Sequence, residues 1–287
     1  GWSAPPYGAG GIDQAIMSKP GARIESRGRI DLLKKGMGFD MSIAGQGVTA
    51  DDLKRIWPYF IATDARDWFV RNVTAGRVES ANMKYAFPAG TLGLNGEDKP
   101  IPQNGIFIEM VADGVQVKAL DGMAPIDIEG KTRLQMHDSE FTVAGDGGVI
   151  PTDKGDIAVA NAALVMTSDA PGESIVEISG DLSGGIPAIA AIARQLQPDA
   201  IDSAALPVDL DAVGGDLNVR LVLTSVLDGG GAVKRTDFSV NGNVQDFAVP
   251  VEGHKLSNGQ LSFMATQAGF RVGGNAQLDG MAAEVLV

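Results

Sequence analysis

Residues 216–225 read Asp216-Leu217-Asn218-Val219-Arg220-Leu221-Val222-Leu223-Thr224-Ser225. Leu217, Val219, Leu221 and Leu223 alternate with Asp216, Asn218 and Arg220. Successive side chains of a β-strand point to opposite faces, so this stretch is a strand with one apolar and one wetted side. A surface helix would repeat its apolar positions every three to four residues instead.

The same period of two runs through the chain. It appears at Phe39, Met41 and Ile43, and again at Met83, Tyr85 and Phe87. Ile106, Ile108 and Met110 follow, then Val115 and Val117, Ile126 and Ile128, Leu134 and Met136, Phe141 and Val143, and Ile157 and Val159. Phe238 with Val240 and Leu261 with Phe263 complete this set. Leu164/Met166, Val176/Ile178 and Phe270/Val272 continue the pattern. Gly, Asp and Asn separate the runs at intervals of roughly 8–12 residues, the spacing of an antiparallel meander. Turns are expected at Asp113-Gly114, Asp121-Gly122, Asp146-Gly147, Asn241-Gly242 and Asn258-Gly259, because glycine takes positive φ freely.

Two stretches break the alternation. Over residues 49–73, Thr49 or Asp51 caps a short helix carrying Leu53, Ile56 and Trp57, and Pro58 ends it. Thr63 then caps a second helix carrying Ala65, Trp68, Phe69 and Val73. From Ile186 to Gln197, Pro187 at a first helical position precedes a stripe of Ile186, Ile189, Ile192, Ala193 and Leu196, and Pro198 stops it. The expected fold is therefore mostly β: a long curled antiparallel sheet, an open barrel or trough, with two short helical inserts. Residues 1–48 form a β segment continuing from upstream chain, 49–75 a helix–turn–helix insert, and 76–287 an extended sheet with a helix near 186–197. So many strands must curl, close or pack on a second sheet. A closed barrel or sandwich hides its apolar face, whereas an incompletely closed sheet leaves a groove.

Composition narrows the function. Lys plus Arg number 23 against 36 Asp plus Glu, a net charge of 23 − 36 = −13. Nucleic acid is thereby excluded as a partner, since phosphate binding needs a basic stripe. There is no cysteine, so no disulfide scaffold and no Cys-ligated metal. Glycine is 38 of 287 residues, about twice the usual share, which suits turns and bulges rather than long helices. No run approaches the roughly 18 apolar residues of a membrane span. The opening GWSAPPYGAGG carries no secretory pattern, and the closing AAEVLV stops as though inside a strand, so the chain is expected to be part of a longer one.

Reactive constellations are missing from the sequence. His137 and His254 are the two histidines, and neither lies in a metal-binding pattern. His137 adjoins Asp138, but strand neighbours face opposite ways. There is no GxSxG elbow, Walker loop or GxGxxG. Gly145-Asp146-Gly147-Gly148 reads as a turn rather than a phosphate cradle. The Asp-rich run from Asp209 to Asp216 lacks the spacing of known calcium loops. The expectation is a protein that is not an enzyme and needs no cofactor or metal.

The segment from Ile56 to Gly90, IWPYFIATDARDWFVRNVTAGRVESANMKYAFPAG, resembles a signature of the AsmA-like superfamily in its large, YhdP- and TamB-type members. The features that carry it are Trp57-Pro58, Ala65-Arg66 with Trp68, Asn72, and Gly76-Arg77-Val78, in order and closely spaced. Gly180-Asp181-Leu182-Ser183-Gly184 before the second helical stretch, and Gly273 to Ala282, are similar to the family more loosely. The family's N-terminal membrane helix and most of its length are missing here. The resemblance implies a periplasmic protein of a Gram-negative bacterium, held in the inner membrane by an anchor outside this chain. It implies phospholipids as cargo moving between the inner and outer membranes, with outer-membrane or periplasmic partner proteins. On that reading the alternating residues from Phe39 to Val159, and from Leu217 to Phe263, line an apolar groove. A structural or adhesive β-solenoid without lipid cargo is the alternative. It demands a fixed repeat of roughly 20–30 residues, which the sequence does not show.

Overall fold

The computed structural model describes residues 8–34, 36–57, 63–93, 99, 102–118, 125–170, 173–196, 209–228, 232–251 and 253–286. Fourteen strands follow one another in the chain: β1 (Gly8–Lys19), β2 (Ala22–Leu33), β3 (Gly36–Gln46), β4 (Val73–Leu92), β5 (Ile106–Val117), β6 (Ile126–His137), β7 (Glu140–Thr152), β8 (Gly155–Ala170), β9 (Glu173–Gly185), β10 (Gly214–Asp228), β11 (Val233–Val251), β12 (His254–Thr266), β13 (Gly269–Leu278) and β14 (Met281–Leu286). They hydrogen-bond in that order as one 14-stranded antiparallel sheet that does not close into a barrel. Helices α1 (Ala50–Ile56) and α2 (Thr63–Asn72) lie between β3 and β4, and α3 (Ile186–Leu196) lies between β9 and β10. The expectation of an open, β-rich sheet with short helices is met.

The chain divides into two compact units. The first is Gly1–Met123 with Ile128–Ala144 and Val165–Ser168. The second is Ala124–Asp127 with Gly145–Leu164 and Asp169–Val287.

The strands are longer than the spacing of turn residues implied. Ile106 through Val117 is a single strand, as is Ile126 through His137 and Val233 through Val251. Asp113-Gly114, Asp146-Gly147, Asn241-Gly242 and Asn258-Gly259 all lie inside strands rather than at turns. The Gly145–Gly148 run is likewise part of β7. Asp121-Gly122 lies outside the described residues. The physical reason is that the same chemistry serves two purposes. Gly114 (φ 56°) and Asn258 (φ 51°) take the left-handed conformation inside β5 and β12, where the register slips between Ala75/Arg77 and between Ser257/Gln260. These are β-bulges, which bend a strand without ending it. The hairpin turns lie elsewhere. Asp279 (φ 50°) and Gly280 (φ 85°) close β13 onto β14, both at the positive φ that a tight hairpin needs.

Helix α1 starts on a reciprocal cap. The Thr49 hydroxyl accepts from the Asp52 amide at 3.2 Å, and the Asp52 carboxylate accepts from the Thr49 amide at 3.1 Å. Lys19 donates to the same carboxylate at 2.7 Å, and with Thr49 it holds the Asp52 pKa down at about 2. Replacing Thr49 by alanine removes the cap and is expected to cost about 1 kcal/mol, read as a fall of roughly 2–4 °C in thermal midpoint.

Candidate functional site

The register of the strands sorts the side chains onto faces. In the first unit, Ile30, Phe39 and Phe87 form one cross-strand row, and Gly28, Met41, Tyr85 and Ile106 form the next. Ser26, Ile43, Met83 and Ile108 make a third, and Ile24, Gly45, Ala81 and Met110 a fourth. All lie on the same side, because paired residues share a face and steps of two keep it. β1 extends these rows with Gly10, Ile12, Ala15 and Met17. The opposite face carries Arg27, Arg29, Asp40, Ser42, Asn82, Lys84 and Glu109.

The second unit repeats the arrangement. Gly184, Leu217, Val244, Leu261, Gly274 and Val285 form one row, and Leu182, Val219, Gly242, Phe263 and Val272 the next. Gly180, Leu221, Val240, Ala265 and Phe270 follow, then Ile178, Leu223 and Phe238. The reverse side holds Asn218, Arg220, Asn241 and Asn243, with Arg220 paired to Asp181 at 3.1 Å and Asn161 donating to the same carboxylate.

Each helical insert covers one end of its unit's apolar face. Leu53 of α1 packs on Val48, Val78 and Ala81 together with Ile24, Met83 and Met110. Ile186 of α3 packs with Val213, Val244, Val249 and Leu261. In α3 the most buried positions are Ile186, Ala188 and Ala190, whereas Ile189, Ile192 and Ala193 of the expected stripe are half-buried. The first turns of α3 are apolar all round, so sequence periodicity cannot choose the packed side.

The candidate residues separate by burial. Ile106, Ile157, Val219 and Leu261 are buried and act as core, with Ile157 1 % exposed beside Gly184. Phe39, Met41, Ile43, Met83, Tyr85, Phe87, Ile108 and Met110 are half-buried in the first unit. So are Leu217, Leu221, Leu223, Phe238, Val240 and Phe263 in the second, with Val159 beside Gly180. Ile126, Ile128, Leu134 and Met136 alternate along β6 with exposed Asp127, Glu129, Arg133 and Gln135. Val117 pairs with Val73, and Val115 sits against Gly76 at a bulge. Phe141 and Val143 are half-buried in β7, where burial does not alternate. β1 and β2 add Ile12, Ile24, Gly28 and Ile30, which the expected lining omitted.

The residues of the sequence signature act as joints. Arg66 donates to the carbonyls of Trp57 (3.2 Å) and Lys54 (3.4 Å), binding α2 to the end of α1. Arg77 donates to the Gly21 carbonyl at 2.6 Å, tying β4 to the β1–β2 turn. The Trp57 and Phe69 rings lie 5.8 Å apart. Pro58 and the side chains of Ala65 and Trp68 lie outside the described residues.

Polar clusters are small and self-satisfied. Lys131 bridges Glu79 and Asp113, which lowers the Asp113 pKa and raises that of Lys131. Asp138 has left the strand at φ 53° and accepts from the amides of Asn104 and Ile106, which lowers its pKa. His137 contacts the Asn104 side chain at 3.1 Å. Among the described residues no group of His, Asp and Glu is placed to hold a metal ion, and no helix is long and apolar enough to cross a membrane. No family model, curated protein or solved structure matches the chain.

Proposed function

We propose that this chain is a stretch of a periplasmic, AsmA-like bridge-type protein that shields phospholipid acyl chains on the apolar face of its sheet, as a binding surface without chemistry. The observation that carries it is where the large side chains are. Among the described residues, no Phe, Tyr, Trp or Met is fully buried. In a closed sandwich or barrel those residues fill the core. Here Phe39, Met41, Met83, Tyr85, Phe87 and Met110 of the first unit, with Phe238 and Phe263 of the second, stand half-buried in rows on one face, and the opposite face is mostly polar.

An acyl chain in water costs about 0.8 kcal/mol per CH₂, roughly 20 kcal/mol for a two-chain lipid as an upper figure. A surface that offers apolar contact at each strand spacing of about 4.8 Å lowers that cost stepwise along its length. Methionine and aromatic side chains adapt to such a moving occupant. The antiparallel, neighbour-to-neighbour strand order favours this reading over a coiled solenoid. Attachment to the inner membrane through a segment outside this chain, and partners at the outer membrane, belong to the same proposal.

Solvent extraction of the protein purified from cells, followed by mass spectrometry, is expected to release co-purifying phospholipid. Protein that carries no lipid and binds no fluorescent acyl probe would sink the reading.

A further inference from the structure

Tyr85 stands in the middle of the first unit's apolar rows, in register with Met41 on one side and Ile106 on the other. In the four rows of β2 to β5, only Ser26 and Tyr85 carry a polar group. The Tyr85 hydroxyl makes one hydrogen bond among the described residues, to the Met83 sulfur at 3.8 Å, and a thioether is a weak acceptor. The Phe87 ring meets the tyrosine ring edge-on at 6.0 Å, so packing already fixes the ring and would fix a phenylalanine equally well. Burial raises the Tyr85 pKa, which keeps the hydroxyl protonated and a donor.

On the bare face, water can satisfy that donor. Once acyl chains cover the face the water is displaced, and a buried donor without an acceptor carries a penalty. An occupant made of hydrocarbon alone leaves the hydroxyl stranded. An occupant with a carbonyl oxygen at the root of its chains does not.

We infer that Tyr85 recognises the ester carbonyl of a diacyl lipid and thereby selects ester-linked chains over ether-linked ones. The inference rests on the proposed lipid-shielding reading and adds a substrate class to it. A phosphate headgroup is the other possible acceptor. An ester lipid and its ether analogue share the phosphate and differ only in the carbonyls, so comparing them separates the two sources.

The protein is incubated with mixed detergent micelles holding equal amounts of dipalmitoyl phosphatidylethanolamine and its dihexadecyl ether analogue, re-purified, and its bound lipid counted by mass spectrometry. The wild-type chain is expected to hold ester over ether by about 5-fold, the ratio set by one net hydrogen bond. Tyr85→Phe is expected to bring the ratio to about one while total bound lipid stays within about twofold. A wild-type ratio near one overturns the inference and leaves the lipid-shielding reading standing, as does a preference that survives in Tyr85→Phe. No lipid of either kind on the wild-type protein overturns the lipid-shielding reading itself, and this inference with it.

Discussion

Val219→Asp is expected to unfold the second unit, whereas Leu223→Asp, on the same face of the same strand, is expected to leave it folded and reduce its lipid load. Val219 is 5 % exposed and pairs with Leu182 and Gly242. It lies one row from Leu217, Val244 and Leu261, the end that α3 covers. A carboxylate there loses its water and finds no cation across the strand pair, a cost of about 4 kcal/mol or more. Leu223 belongs to the far end of the face. Its partners are Ile178, which is 42 % exposed, and half-buried Phe238. An aspartate there keeps its hydration and forfeits only apolar contact, about 1–2 kcal/mol. An acyl chain lying on that row would have to strip water from the charge, so lipid binding is penalised where folding is not. Urea unfolding of both variants, with lipid extraction from the folded one, reads the contrast. Unfolding of Leu223→Asp to the same degree as Val219→Asp would mean that the whole face is closed core. A folded Leu223→Asp with its full lipid load would mean that this end carries no cargo.

The contrast shows how much of the site is written in the alternation and how much is not. Period two identifies which side chains share a face, since register only pairs residues already on it. Leu217, Val219, Leu221 and Leu223 face one way because of their spacing alone. Their unequal burial, Val219 buried and the other three half-buried, is not set by that spacing, and α3 is apolar nearly all round, so its sequence does not say which row it will cover. Helix α1 was readable for the opposite reason: Thr49, one of the two caps expected for it, does cap the helix, a local signal that needs no tertiary context.

β2 was harder to read for a physical reason visible in its residues. Ile24, Ile30 and Leu32 alternate with Glu25, Arg27, Arg29 and Asp31, but the apolar face passes through Ser26 and Gly28. Gly28 is there because the backbone of β3 approaches it: a Cβ at this position would lie 2.0 Å from the Asp40 carbonyl oxygen. A close approach of backbones is a property of two strands at once. No hydropathy pattern within one strand announces it, and the apolar run is interrupted where the sheet is tightest.

Gly242 poses the same problem in the second unit, and its replacement is the other change expected to have a large effect. Asn241-Gly242 has the composition of a hairpin turn, yet it lies within β11, where Asn241 pairs with Arg220 and Gly242 with Val219. Its φ is not in the left-handed region, so a turn conformation does not explain the glycine. Space does. A Cβ there would stand 2.0 Å from the Asn218 carbonyl oxygen and 2.7 Å from the Val219 Cα, both backbone atoms that no rotamer change can move aside. Gly242→Ala must therefore push β10 and β11 apart in the row that also holds Leu182, Phe263 and Val272, and it is expected to cost about 3 kcal/mol or more. Thermal unfolding would show a fall of roughly 6–12 °C for the second unit. Gly11 provides the control, because a Cβ added on β1 meets nothing within 4 Å. Gly11→Ala is expected to be neutral or slightly stabilising, through the smaller entropy of its unfolded chain. Equal effects of the two substitutions would mean that β11 can relax away from β10 without loss. The tightness at Gly242 would then owe nothing to the apolar row it interrupts.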